Sequence, residues 1–438
     1  MLRAKPCLLA WAICAALTCS LAQATTIDFN HALQRAMNSS YRLKIAQTDV
    51  GISRTGVTDA RSEYFPKIQA QASFEYLKGL QNQPGNVTSV GNTVLPYGTR
   101  FQNSVALSLN HTLTDFGVRS RKLKIAKQDV QVKVHAYDQQ LRELKFKVVD
   151  AYSQALIRYK SFKANEAILL LNKDIYQMKR RLYQAQAIPK VDMAEEAIAL
   201  AQALDEIEVA KQQLAESLQA LSALTHEPYD LAELELLEFS DGELGNLPSF
   251  NEAVTPEAKA YDLQIRQKQL EVESLKRQYL PQVSLYSYYN FYGMDQDHWN
   301  QAIQNLGART VSVGLSIHMP IFDGLKNHAA IQKAELEKQK LALEREEKLA
   351  ELKTQAQVLE SQAQAYSVQL KTKATILNKT QDKMSMLQRL SDEQVIEKSQ
   401  SVKEHIQRIH RQLQVESSMI QAVAAKKKLQ MFVDEKHS

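Results

Sequence analysis

Two periodicities alternate along the chain. Val130, Val134, Tyr137, Leu141, Leu144, Val148, Ala151 and Ala155 are spaced alternately by four and three residues. That is a heptad seam, the pattern of a helix lying along another helix. Leu349, Leu352, Ala356, Leu359, Ala363, Tyr366 and Leu370 show the same alternation. Residues 118 to about 186 hold no proline, and the spacing predicts one helix of roughly 100 Å at 1.5 Å per residue. A second helix of equal length is predicted from about 325 to 392. Returning helices are predicted by Leu200, Leu204, Ile207, Leu214, Leu218 and Leu221, and by Val402, Ile406, Ile409, Leu413, Ile420 and Val423. Asp115 and Asp323 stand where an N-cap would start each long helix.

The other periodicity is two. Ile68, Ala70, Ala72, Phe74 and Tyr76 alternate with Lys67, Gln69, Gln71, Ser73 and Glu75. Val105, Leu107 and Leu109 alternate with Ala106, Ser108 and Asn110; Val283, Leu285, Tyr289 and Phe291 with Ser284, Tyr286, Tyr288 and Asn290. Val311, Val313, Leu315, Ile317 and Met319 alternate with Ser312, Gly314, Ser316 and His318. Four strands are predicted, at about 67–77, 104–113, 282–292 and 310–319. Each has one apolar and one polar face, the length and pattern of transmembrane barrel strands. Gln69, Gln71, Ser108, Asn110, Ser316 and His318 would line the water side. Tyr64, Phe65, Tyr76, Tyr279, Phe291 and Tyr292 would suit the membrane interfaces. Four strands cannot close a barrel, and an open edge is not tolerated in lipid, so a barrel would be shared between chains.

The pattern is stated twice. Tyr64-Phe65-Pro66-Lys67 returns as Tyr279-Leu280-Pro281-Gln282, and Val105 to Leu109 returns as Val313 to Ile317. Pro66 and Pro281 stand at the change from helix to strand, where a missing amide hydrogen does least harm. The expected organisation is a signal peptide at 1–24, a first repeat at 25–225, a linker at 226–256, a second repeat at 257–433 and a tail at 434–438. Within the repeats, hairpin turns are expected near 187–192 and 392–399. The loops between paired strands, 78–102 and 293–309, should face outward.

Composition narrows the setting. Arg3 and Lys5, the apolar run Leu8 to Leu17, and Ala22-Gln23-Ala24 form an export signal with cleavage expected after Ala24. All three cysteines lie in that leader, which suits an exported protein without disulfides. Thr18 is not the small residue that usually precedes a lipidated cysteine, here Cys19. Removing Arg3 and Lys5 from the 54 Lys+Arg leaves 52 against 49 Asp+Glu, too balanced for nucleic acid as main partner. There is no H-E-x-x-H, no G-x-S-x-G and no phosphate-binding glycine loop, and no enzyme, cofactor or metal site is expected. His318, if repeated around a lumen, reads as polar lining.

In this order and spacing the sequence resembles the TolC family of outer membrane efflux proteins. The resemblance rests on helix, strand, strand and helical hairpin given twice. It also rests on the two proline junctions, and on Thr114-Asp115-Phe116-Gly117 and Ile321-Phe322-Asp323-Gly324. It implies a mainly α fold with a transmembrane β-barrel: a homotrimer with a twelve-stranded barrel on a periplasmic α-barrel of long coiled-coil hairpins. It implies a passive duct for efflux or type I secretion, docked to a periplasmic adaptor and an inner membrane pump, proton-driven or ATP-driven. Ala187-Ile188-Pro189 and Asp192 match the first hairpin turn, and Ile188, Pro189 and Asp192 would meet the adaptor. The family usually has a glycine before this turn, where Ala185 or Ala187 stands. Some members close the tip with acidic rings, where Ser399 and Val402 stand. Asp192, Asp392, Glu393 or Glu397 would supply a charged ring instead. A secreted or surface coiled-coil scaffold or adhesin without a pore is the alternative reading.

Overall fold

The computed structural model describes residues 25–76, 88–90, 93–95, 100–229, 234–239, 250–251, 254–393 and 397–433. The expected leader and cleavage site, the expected C-terminal tail and most of the first strand-connecting loop lie outside these residues. In chain order the first half is β1 (Thr25–Ile27), α1 (Phe29–Ser39), α2 (Tyr41–Ser62), β2 (Lys67–Tyr76), β3 (Thr88–Val90), β4 (Thr93–Leu95), β5 (Phe101–Thr114), α3 (Val118–Gln184) and α4 (Lys190–Thr225). The second is β6 (Leu234–Leu236), α5 (Pro256–Arg277), β7 (Gln282–Asp295), α6 (Trp299–Gln304), β8 (Ala308–His318), α7 (Lys326–Asp392) and α8 (Lys398–Val433). Helices α2 and α5 have 22 residues each, α3 and α7 have 67 each, and α4 and α8 have 36 each. Among the described residues no helix is long and apolar enough to cross a membrane.

Local chemistry sets the boundaries. Ser40 starts α2 by accepting the Leu43 amide at 3.4 Å, and Thr255 starts α5 by accepting the Ala258 amide at 3.3 Å. Pro256 is the first residue of α5 rather than the last of a linker, because its missing amide would be unpaired there anyway. The returning helix α4 buries Ala203, Ala210, Leu214, Leu218 and Leu221, whereas Leu204 is 46 % exposed. The expected seam is therefore one residue off in its first part: the contact line there is made by alanines, whose small side chains let helices approach closely.

The chain folds into two compact units. One comprises the described residues within Met1–Ser39, Phe146–Gly245 and Gln362–Lys427. In it β1 pairs in parallel with β6, so part of the expected linker is a strand. The Tyr152 hydroxyl lies 2.9 Å from the Ile27 carbonyl oxygen and 2.7 Å from that of Leu237, tying α3 to this pair. Phe29, Tyr152 and Phe239 pack with ring centroids 5.3 to 5.6 Å apart. The Lys427 ammonium sits 4.6 Å from the Phe29 centroid, a cation–π contact.

The other unit comprises the described residues within Ser40–Lys145, Asn246–Ser361 and Lys428–Ser438. Its centre is a four-stranded antiparallel sheet in the order β2-β5-β7-β8. The middle pair joins the first half of the chain to the second. Strands β5 and β7 have 14 residues each, longer than their alternation alone indicates. Their extra residues are held by α6, whose Ala302 carbonyl oxygen lies where a β-carbon on Gly293 would be, so only glycine fits there. Helix α5 is clipped to α7 by Lys268–Glu337 at 2.7 Å, Lys276–Glu335 at 3.1 Å and Arg345–Asp262 at 2.7 Å.

Candidate functional site: a two-faced sheet and its turns

The register turns four alternating strands into two continuous faces. Ile68 pairs with Leu109, Leu109 with Ser287 and Ser287 with Val313; one step on, Ala70, Leu107, Tyr289 and Val311 form the next row. These rows make an apolar face open to the surroundings, with Ile68 64 %, Val313 69 % and Ile317 72 % exposed. At its loop end Phe74, Tyr76, Phe101 and Trp299 form an aromatic cluster with centroids 5.1 to 5.9 Å apart. Phe291 lies on this face, but Tyr292 pairs with Ser104 on the opposite face and is buried there. Tyr292 is therefore not an interface aromatic: a period of two sends neighbours to opposite sides.

The opposite face is polar. Gln69 pairs with Ser108, Lys67 with Asn110, Ser284 with Ser316 and Gln282 with His318, and Gln71 shares this face. A concave cavity of about 960 Å³ opens on it beside the turns to the helices. Gln69, Ser108, Asn110 and His318 line the cavity, while Gln71 and Ser316 do not.

Those turns are built alike in both halves. Pro66 and Pro281 directly precede β2 and β7, each following a backbone hydrogen bond that closes the end of its helix. On the way back, the Asp115 carboxylate accepts the Gly117 amide at 3.0 Å and the Arg119 amide at 2.7 Å. Asp323 accepts the Asn327 amide at 2.9 Å. Both acids thus hold the second residue of their helix, from a position three residues before its start. The intervening residues take left-handed conformations: Phe116 (φ 51°) and Gly117 (φ 90°), Gly324 (φ 66°) and Leu325 (φ 66°). Arg119 then donates to the Glu63 carbonyl oxygen at 3.0 Å, and Asn327 to that of Leu275 at 3.0 Å, tying each long helix to the end of the helix before the strands. Burial pushes the Asp115 pKa up, but the Arg119 and Gly117 amides and the Arg119 guanidinium outweigh it and hold it below the ordinary value.

The hairpin ends belong to the other unit. Helix α3 closes with the Ala187 amide on the Leu182 carbonyl and the Gln186 amide on that of Tyr183, both 2.9 Å, with Gln186 at φ 57°. This is a Schellman turn, and Gln186 occupies the position that usually takes glycine. Ile188 is half-buried, Pro189 is exposed at the start of α4, and Asp192 lies in that helix's first turn. Asp392 ends α7 and Glu393 is exposed beyond it. Glu397 is ion-paired with the buried Lys179, and that hydrogen bond holds its carboxyl below the usual carboxylate value. Lys403 of α8 reaches the buried Glu196 of α4 at 2.8 Å. The two hairpins are thus cross-linked by charge, and Glu397 is neutralised within the chain.

Sequence patterns did not reveal Arg119, Asn327, Lys179, Glu196 or Tyr152 as organising residues. Only the fourfold spacing from each turn aspartate to Arg119 and Asn327 was visible as a signal. Among the described residues no cluster of metal-binding side chains occurs.

Comparisons with known proteins agree with this geometry. No curated protein sequence matches the chain. Residues 32–226 match the profile of the outer membrane efflux protein family. Solved structures share the fold at low identity. CusC is 13% identical, with a TM-score of 0.73, over 92% of this chain and 91% of its own. VceC, an outer membrane protein of Vibrio cholerae, is 15% identical, with a TM-score of 0.70, over 92% and 95%. The CmeC outer membrane channel of Campylobacter jejuni is 16% identical, with a TM-score of 0.71, over 91% and 85%. The family match over 32–226 covers the first half of the chain, and the fold shared with these solved structures extends across the second half as well.

Proposed function

We propose that the protein is a passive outer membrane duct, a homotrimer that carries substrates outward with a periplasmic adaptor and an energised inner membrane pump. The observation that carries this reading is the sheet: one exposed apolar face, one polar face, and edge strands β2 and β8 whose outer sides pair with no strand among the described residues. In lipid those edges must pair, and strand directions alternate so that β8 of one copy suits β2 of the next. Three copies close twelve strands, with the apolar rows against lipid and the cavity face toward a water-filled bore. The two hairpins, cross-linked by Lys179–Glu397 and Lys403–Glu196, supply the wall of the periplasmic tunnel. Their ends, at Ile188, Pro189, Asp192, Asp392 and Glu393, are where the adaptor docks. Exposed Leu336, Leu343 and Val368 on α7 fit burial against a neighbouring copy. The first 24 residues serve as the cleaved export signal.

The test is membrane fractionation followed by reconstitution. The expected result is an outer membrane protein that migrates as a heat-modifiable trimer and conducts in planar bilayers. Recovery as a soluble, non-conducting species would favour the scaffold or adhesin instead.

A further inference from the structure

The cavity on the polar face carries unmatched positive charge. Two of its basic residues are neutralised: Arg119 by Asp115 at 3.0 Å and Lys122 by Glu63 at 3.1 Å. Three others on the wall, Lys67, Arg277 and Lys326, are not. Among the described residues Lys67 and Lys326 make no ion pair, and both are exposed. Arg277 donates to the Phe116 carbonyl oxygen at 2.6 Å, and the nearby Glu273 is taken by Arg121 at 2.9 Å. The one remaining acid on the wall, Asp323, accepts the Asn327 amide and keeps its charge, so five basic side chains (Lys67, Arg119, Lys122, Arg277, Lys326) stand against three acids (Glu63, Asp115, Asp323) and the wall stays net positive.

Lys67 and Lys326 hold no element in place, yet the fold sets them on one concave wall with Arg277. Like charges gathered in a concavity focus the field and raise the local concentration of the opposite ion. Three copies around a bore would repeat the arrangement at one level. We infer that this wall makes the duct select for anions, so that negatively charged solutes are favoured over cations where the strands meet the helices. The inference rests on the duct reading and names the charge class of its cargo.

The experiment uses the full-length protein in planar bilayers of neutral lipid, under a roughly tenfold KCl gradient kept below about 0.1 M, where the Debye length is about 10 Å or longer. The wild-type reversal potential should show chloride permeating more readily than potassium. The double variant Lys67→Gln/Lys326→Gln should still conduct, with its reversal potential moved toward the potassium side, and Lys67→Glu/Lys326→Glu should move it further. A wild-type pore that prefers potassium overturns the inference, as does a reversal potential indifferent to both variants. Should a variant form no pores, the sign of the wild-type potential still decides. A wild-type protein with no conductance at all would instead sink the duct reading.

Discussion

Tyr152 shows how much one side chain decides in this fold. Its ring is fully buried, and its hydroxyl faces two carbonyl oxygens from segments far apart in the chain, Ile27 and Leu237. Burial raises its pKa well above the ordinary phenol value, so it remains a donor throughout the physiological range. Tyr152→Phe keeps the ring and removes the donor. The Ile27 oxygen still accepts the Leu237 amide, but the Leu237 oxygen is left without this partner. A loss of about 1 to 2 kcal/mol is expected in denaturant unfolding; an unchanged midpoint would show the hydroxyl to be dispensable. The heptad seam passes through Ala151, one residue away, so spacing located this stretch of helix but not the residue that ties it down. Gln186 is a similar case. By sequence the glycine usual before this turn would align with Ala185 or Ala187, while the left-handed position falls between them. Gln186→Gly should therefore be neutral or slightly stabilising and Gln186→Val clearly destabilising, since a β-branched residue tolerates that conformation worst.

At the scale of elements, the turns that return strand to helix combine backbone strain with capping. Each places two consecutive residues in the left-handed region and offsets that cost with an aspartate bonded to helix amides. Asp115 has a folded-state pKa below its ordinary value of 3.8. Its contribution is thus fully present above that value and is lost as pH falls through the lower folded-state value. Asp115→Asn replaces one of two accepting oxygens by a donor that faces N–H groups, and should lower stability at neutral pH by about 1 to 2 kcal/mol. It should also flatten the acid limb of an unfolding-temperature-against-pH profile relative to wild type. An equally steep acid limb in the variant would assign that limb to other carboxylates. Both aspartates were legible from sequence because capping is local. The full lengths of β5 and β7 were not, because Asn103 and Gly293 break the alternation and are held in strand by α6.

For the whole molecule, the shared barrel makes a prediction about the two sheet edges. The chain from Thr25 onward contains no cysteine. One cysteine on β2, at Gln71, combined in turn with one at Ser312, Gly314 or Ser316 on β8, should oxidise at one register into a closed covalent trimer. A ladder of higher species, or no cross-link at any register, would contradict the shared barrel. The sequence by itself determined the two-faced strands, the long helices and their duplication, because periods of 2 and 3.5 arise from the local geometry of the backbone. Only the tertiary structure decided that the strands order as β2-β5-β7-β8, that β1 pairs with β6, and that Glu397 meets Lys179. It also decided that Lys67, Arg277 and Lys326 share one wall. Those outcomes depend on contacts between residues distant in the chain, and local spacing carries no record of which distant partner a side chain will find.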